Sequence, residues 1–444
     1  MSGTFSGLEI IRRSLLSYQQ SLETTQNNIA NANTEGYSRQ RAVLSATGTS
    51  LPPSLHHGQL NAGVEIKNIQ RMRDDFLDPQ LRANLSEIGY WEEQETELAK
   101  AACLFTDTSG DGVSSLLTEF WNSWQELSNS PQEASTRQNV TQIAANLTTY
   151  LNYLTSQMET AHTEIESSLT SKVSEINQLA DQLADVNLAL KKCVTGENNS
   201  LMDRRDSLLN EMSRLSDIAI TINDNNTATV VICGKTIVEG QDVTPLSEGD
   251  LSSGKGELGG LLATKQSFED YQDKMNLFIQ TLADKVNEIH EDGYTLDNVT
   301  GVAFFTLEDD AAGNKTISVN EDILNDPNNI ATAQESSSPS DGRNAMAIAY
   351  INNTVDYVEL GNKSLTGYYS QLISKIGSDQ SQASNNAETF NSIGLQFEAQ
   401  RQSLSGVSID EELTMLMQYQ FAYQALAKAM SIFNDMLDTL INRT

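Results

Sequence analysis

The sequence has 444 residues, which is enough for two or three domains with a substantial core. It carries 28 Lys and Arg against 60 Asp and Glu, so its formal net charge is −32. A field of that sign repels phosphate backbones and anionic lipid headgroups, which disfavours nucleic acid and membrane surfaces as partners. No stretch reaches the roughly 18 apolar residues of a membrane helix, so no membrane insertion is expected. Residues 1–16 lack the pattern of a cleaved secretory signal.

Both ends of the chain carry a helix-start signal followed by a heptad pattern. Ser6 is followed three residues later by Glu9, and Ser408 by Glu411, which is the spacing of a capping box. Apolar side chains then recur at steps of three and four residues, as in coiled coils. One such helix would usually pack on its own core, but two seams at opposite ends favour pairing with each other or with other subunits. The candidate interface side chains are Leu8, Ile11, Leu15, Leu22, Ile29, Leu413, Leu416, Tyr423, Met430 and Leu437.

A third seam occupies the middle of the chain. There is neither proline nor glycine between Pro131 and Gly196, which permits a helix of about 60 residues and ~90 Å. Its apolar residues keep heptad steps up to Ile165 and then change to two steps of four, a stutter that locally unwinds a supercoil. Two more amphipathic stretches, 268–289 and 365–404, are predicted as helices, and the latter has Leu372, Ile376, Ala383, Phe390 and Phe397 on its apolar face.

Strand signals are confined to short segments. Ile218, Ile220 and Ile222 alternate with smaller residues, and segments 230–232 and 236–238 follow after turn residues. Segment 248–260 is rich in Gly and Ser and is predicted as a loop, and 316–319 as another short strand.

The predicted fold class is mainly α: a long antiparallel helical bundle with paired N- and C-terminal heptad helices and a small β insertion. We expect a terminal coiled-coil axial domain formed by 1–45 with 405–444. A helical bundle domain would comprise 46–215 with 260–404, and the β insertion 216–259.

Histidines and cysteines show no spacing typical of a metal site or a disulfide framework. We therefore expect no metal and no cofactor. The residues concerned are His56, His57, His162, His290, Cys103, Cys193 and Cys233.

Other patterns that could suggest chemistry have simpler interpretations. Segment 107–112 resembles the start of a calcium loop, but its twelfth position is Thr118 rather than glutamate, so a turn is predicted. Trp121 and Trp124 lie one helical step apart and are predicted to be core residues. No catalytic motif is present, and we expect no enzyme activity and no catalytic residue.

Residues 27–40 read NNIANANTEGYSRQ. This segment closely resembles the N-terminal signature of the rod, hook and hook-associated proteins of the bacterial flagellar axis. In physical terms it is a helix end, because asparagines weaken the helix and Gly36 can adopt the left-handed conformation that stops it. The motif residues are Asn28, Ile29, Ala30, Asn31, Thr34, Gly36, Tyr37, Ser38, Arg39 and Gln40.

Within that family, the Ser38-Arg39-Gln40 extension is similar to the hook-associated proteins of the hook–filament junction. Four further segments support this narrower resemblance, and together they extend it over nearly the whole chain. They are 63–82, 203–215, 256–305 and 405–438.

The resemblance implies a structural subunit that joins hook to filament outside the cell, exported without a cleaved signal through the flagellar type III pathway. The partners it implies are hook protein, a second junction protein, further copies of the chain in a ring, and an export chaperone at the C-terminal helix. The alternatives are a hook or rod subunit, a secreted helical enzyme such as a wall hydrolase, and a helical adhesin.

Overall fold

The computed structural model describes residues 2–34, 36–46, 63–105, 112–193, 198–252, 254–355 and 357–442. The fold is mainly α, as predicted, with three small antiparallel sheets of two, four and two strands in the described part of the chain. Its elements in chain order are α1 (Ser2–Ala30), β1 (Gln40–Ala46), β2 (Val64–Arg71), α2 (Leu77–Phe105), α3 (Val113–Asn129), α4 (Ala134–Lys192), α5 (Asn199–Leu215), β3 (Ile218–Ile222), β4 (Ala228–Ile232), β5 (Lys235–Glu239), β6 (Asp242–Val243), α6 (Gly256–Asp292), β7 (Phe305–Asp309), β8 (Lys315–Val319), α7 (Glu321–Asn325), α8 (Arg343–Tyr350), α9 (Leu365–Ser405) and α10 (Ile409–Asn442).

The chain forms two compact units. The first comprises Met1–Leu85, Ile176–Leu246 and Phe390–Thr444, and the second comprises Ser86–Glu175 and Ser247–Thr389. The finer division into a terminal domain, a bundle domain and a β insertion stays a prediction. No described helix is long and apolar enough to cross a membrane.

Helix α4 follows its predicted course over 59 residues. Its apolar seam is buried throughout, including the stutter, because a continuous helix turns those positions to one side. The buried seam residues are Leu147, Leu151, Leu154, Met158, Ala161, Ile165, Leu169, Val173, Ile176 and Ala180.

The second unit has an aromatic core. Trp121 and Trp124 are buried as predicted, and Trp124 packs edge-on against Phe304 with ring centroids 5.0 Å apart. The predicted strand 316–319 is confirmed as part of β8, which pairs with β7, a strand that the sequence analysis missed.

Helix α6 begins at Gly256, so the predicted loop 248–260 is too long by one helical turn. Glycine normally weakens a helix, but here it is required for close packing. A Cβ on Gly260 would lie 2.5 Å from the carbonyl oxygen of Tyr90 on α2, and one on Gly259 would lie 2.1 Å from that of Gly254.

His290, near the end of α6, is fully buried. Its Nε2 accepts a hydrogen bond from the Ala331 N–H at 2.9 Å, so Nδ1 carries the proton and donates to the Val302 carbonyl at 2.6 Å. Burial lowers the pKa of His290 to about 4. The imidazole is therefore a neutral connector of the core and does not form part of a metal site.

This histidine predicts a pH dependence of stability. Below pH ~6.5 the unfolded chain binds a proton at His290, whereas the folded chain stays neutral down to about 4. Stability should therefore fall by about 3 kcal/mol as the pH is lowered from 7 to 4. Urea unfolding at a series of pH values should show a shallower decline for His290→Asn, which cannot titrate. Equal slopes for both proteins would contradict the prediction.

In the first unit, the sheet β3-β4-β5-β6 is anchored to α4 by one buried side chain. The Asn187 amide donates to the carbonyl oxygens of Ala228 at 2.9 Å and Gly240 at 2.8 Å, and accepts from the Ala228 N–H at 2.8 Å. The β sheet is thereby held to α4 by hydrogen bonds between the Asn187 side chain and the backbone of the sheet.

Candidate assembly interface

The two terminal helices pair with each other in antiparallel orientation. Gly7 lies against the ring of Phe433, where an added Cβ would be 3.1 Å from Cζ. Further along, the rings of Tyr18 and Tyr419 are 6.1 Å apart between centroids. The end of α1 therefore meets the beginning of α10, and the predicted pairing of the two terminal helices is confirmed.

The start signals differ at the two ends. Helix α1 already begins at Ser2, so Ser6 lies inside the helix and the predicted capping box there is wrong. Glu9 bonds Arg12 one turn further on, at 2.8 Å. At the other end Ser408 does cap α10, accepting from the Glu411 N–H at 3.5 Å.

The predicted interface residues differ in their burial. Ile11 is buried, while Leu413 is exposed. The half-buried members are Leu8, Leu15, Leu22, Ile29, Leu416, Tyr423, Met430 and Leu437.

A second apolar surface lies on the exposed side of α10, and of its members the heptad analysis named only Leu413 as a candidate interface residue. We call it the outer face of α10. Phe421 lies at the centre of this face and is 69% exposed. The other members are Ile409, Leu413, Met417, Ile432 and Met436, each about half exposed.

The outer face is also nearly free of charge. Between Leu413 and Asn434 the one charged residue is Lys428, although 20% of all residues in the chain are charged. A helix that is apolar on its seam and uncharged on its outer face is typical of a buried position. A scan for uncharged stretches could have found this surface from the sequence.

The signature segment 27–40 contacts α10 at the end of the helix pair where α1 ends and α10 begins. The Asn28 side chain is 1% exposed and satisfies all of its hydrogen-bonding capacity. Its amide donates to the Gln40 carbonyl at 2.8 Å and to Glu412 Oε2 at 2.9 Å. Its oxygen accepts from the Tyr37 hydroxyl at 2.8 Å and from the Gln40 N–H at 3.0 Å.

Arg39 completes this contact from the other side. Its Nε donates to Glu412 Oε1 at 2.7 Å, and its Nη1 to Glu411 Oε2 at 2.9 Å. Its backbone N–H bonds the carbonyl of Ser405 at 3.0 Å. Residues from α1, the following turn and α10 therefore meet around the buried Glu412 carboxylate, which we call the Glu412 lock.

The remaining signature residues shape the turn. Gly36 has φ +77°, so the predicted left-handed conformation is confirmed. Asn31 bonds back to the Asn27 carbonyl at 2.9 Å, and Thr34 donates to Asn31 at 3.3 Å. Ala30 ends α1 and is exposed. Burial, with help from nearby Asp203 and Glu412, raises the pKa of Tyr37 to about 12, which keeps its hydroxyl protonated as a donor.

A buried ion cluster, which we call the Asp206 cluster, continues from this turn. The N–H of Ser38, itself buried, donates to Asp203 at 3.4 Å. Asp206 Oδ2 accepts from Arg71 Nη1 at 2.8 Å and from Arg73 Nη1 at 2.7 Å. The cluster joins β2, the start of α2 and α5. Its members are Arg71, Arg73, Asp78, Arg82, Asp203, Arg205 and Asp206.

The described ranges bring no group of three or more potential metal ligands together. Among the described residues, Cys103, Cys193 and Cys233 form no disulfide. His56, His57 and most of the calcium-loop-like segment, 107–111, lie outside the described residues.

Three family models match the chain. The model of the flagellar hook-associated protein FlgK helical domain matches residues 98–253 and 247–305. The flagellar basal body rod FlgEFG protein C-terminal model matches 398–443, which is α10 and the end of α9. The flagella basal body rod protein model matches 17–37 in α1 and the signature turn.

Whole-length relatives agree with these matches. Flagellar hook-associated protein 1 of Bacillus subtilis (strain 168) is 29% identical over 504 residues, covering 100% of this chain and 99% of that protein. The Salmonella typhimurium protein of the same name is 24% identical and covers 96% of the chain and 97% of its own length. The flagellar hook junction protein FlgK from Burkholderia pseudomallei shares the fold, with a TM-score of 0.63, 15% identity, and coverage of 73% of this chain and 100% of that one.

The paired terminal helices, the signature turn and the helical units thus define a structural protein of the bacterial flagellar axis. The whole-length matches narrow this further: along nearly its whole length the chain is similar to flagellar hook-associated protein 1.

Proposed function

We propose that this protein is a structural subunit of the hook–filament junction that polymerises through its terminal helices, 1–45 with 405–444. The observation that carries the proposal is the outer face of α10. An exposed apolar surface centred on Phe421 marks an interaction site on a soluble protein. The residues that we propose for axial packing are this face together with the predicted seam residues.

Charge supports contact between copies at this surface. Subunits with a formal net charge of −32 repel one another wherever their acidic surfaces approach. A ring of copies therefore needs a contact region of low charge, and the segment from Leu413 to Asn434 provides one. Hook protein and a second junction protein would meet the two sides of such a ring.

The proposal is tested by deleting the gene and examining the cells by electron microscopy, with an assay for flagellin in the medium. Finished hooks without filaments and with flagellin released are the expected result. Missing hooks would favour the alternative of a hook or rod subunit. Normal flagella would refute an axial role and reopen the enzyme and adhesin alternatives.

We further propose that the subunit is exported without cleavage and that a chaperone covers α10 before assembly. Exposed apolar side chains such as Met417 and Phe421 need protection from aggregation in the cell. Mass spectrometry of isolated flagella should find the N-terminal residues of the chain intact. The chaperone should slow amide exchange in α10, and unchanged exchange there would argue against this role.

A further inference from the structure

Glu412 occupies an unusual place in the terminal helix pair. Steps of four and three residues lead from Glu412 through Leu416, Tyr419, Tyr423 and Leu426, so the glutamate stands at a seam position of the heptad pattern. It is 1% exposed, whereas its neighbours Glu411 and Leu413 are exposed. The seam thus begins with a buried carboxylate.

The negative charge of this carboxylate is compensated in only one register of α10 against α1. Oε1 accepts from Arg39 at 2.7 Å and Oε2 from Asn28 at 2.9 Å. Sliding α10 along α1 by one heptad would preserve apolar contacts along the rest of the seam. It would, however, take the carboxylate away from Asn28 and Arg39 and leave a buried charge uncompensated, which is strongly unfavourable.

We infer that the Glu412 lock sets the register in which α10 pairs with α1. Buried polar groups in coiled coils select one register at some cost in stability, because apolar seams alone tolerate sliding by whole heptads. Here Arg39 also bonds the Ser405 carbonyl, so the lock fixes the seam relative to the end of α9. Register in turn determines where along the pair the outer face of α10 is presented.

The test replaces Glu412 by leucine in the full-length chain. Arg39 keeps its bond to the exposed Glu411, and the Asn28 amide keeps the Gln40 carbonyl, so each group retains one of its partners in E412L. The variant should retain its helix content and lose its register selectivity. Glu411→Leu makes the same change at the exposed neighbouring position and leaves both carboxylate oxygens of Glu412 bonded to Arg39 and Asn28, so it is the matched control that should keep the natural register.

Register is read by cross-linking paired cysteines with a short bis-thiol reagent, after the three native cysteines are replaced by serine. Tyr18→Cys with Tyr419→Cys reports the observed register, because these rings are 6.1 Å apart. Tyr18→Cys with Leu426→Cys reports a slide of one heptad. With Glu412 present, in the natural chain or in Glu411→Leu, the first pair should cross-link at least tenfold more than the second. In E412L the two yields should become comparable.

Three results would overturn the inference. One is native-only cross-linking in E412L, and another is equal cross-linking of both pairs with Glu412 present. The third is loss of the α10 helix in E412L, because Glu412 would then be needed for pairing itself rather than for the choice of register. The experiment uses purified protein, so its outcome is independent of the flagellar role.

Discussion

Replacing Asp206 by asparagine is expected to lower the free energy of unfolding of the first unit by about 3–5 kcal/mol, the usual cost of removing one partner from a buried ion cluster. Asp206 is buried, and its oxygens accept from Arg71, Arg73 and Arg205. An amide would turn an N–H₂ donor toward guanidinium donors. The cluster has four arginines and three aspartates, so the change raises its net charge from +1 to +2.

Urea unfolding followed by circular dichroism measures this effect. Asp224→Asn, at an exposed position in the same unit, is the matched control and should change stability by no more than about 0.5 kcal/mol. A loss of less than 1 kcal/mol for Asp206→Asn would contradict the assignment of Asp206 as the centre of the cluster.

The same variant should change the response to acid. Burial by itself would raise the pKa of Asp206, but Arg73, Arg205 and Arg71 outweigh it and hold the pKa below its usual value. The stabilisation is therefore present above the unfolded pKa of ~3.9 and is lost as the pH falls through the lower folded value. Asp206→Asn should lack this part of the acid-induced loss.

Replacing Phe421 by glutamate is expected to abolish filament attachment while leaving the purified monomer folded. Phe421 is 69% exposed, so the charge costs the monomer little. In an assembled ring the same charge would be buried between subunits, and loss of a central aromatic anchor typically costs 2 kcal/mol or more for each contact. The expected result is motility lost, hooks bare and flagellin released, with an unchanged melting curve.

Two further variants sharpen this experiment. Ser167→Glu places the same charge on an exposed position of α4 and should leave flagella normal. Leu416→Glu places it in the half-buried seam and should disrupt the α1–α10 pair while sparing the second unit. Normal filaments with Phe421→Glu would show that the outer face of α10 is not an assembly surface.

The helices were predictable because their signals are local. The absence of proline and glycine between Pro131 and Gly196 and the periodic apolar residues of α4 define that helix without reference to the rest of the chain. Strand β7 was missed because its alternation rests on only two apolar residues, Phe305 and Leu307, and the segment ends in acidic residues, which are depleted in strands. The helical start at Gly256 was missed because a high density of glycine indicates a loop until the close contact of Gly260 with Tyr90 is known.

The sequence predicted the paired terminal helices that carry the proposed assembly site, but not the geometry of that site. The heptad analysis identified the seam of α10, yet it could not show that α1 covers that seam and leaves Phe421 outside. Nor could it find the Glu412 lock, because Asn28 and Glu412 are 384 positions apart in the chain. Hydrogen bonds between distant residues leave no periodic trace in a single sequence.

The pairing of α1 with α10 also has a kinetic consequence. The seam residues of α1 face partners almost a full chain length away, and closing a loop of that size in an unfolded chain carries a length-dependent cost of about 5 kcal/mol. Folding of the intervening segments removes most of this cost by bringing the ends near each other. The terminal pair should therefore be the last element to form, once the chain has been synthesised through α10. A chain interrupted before α10 would present an uncovered α1 and would lack the outer face of α10.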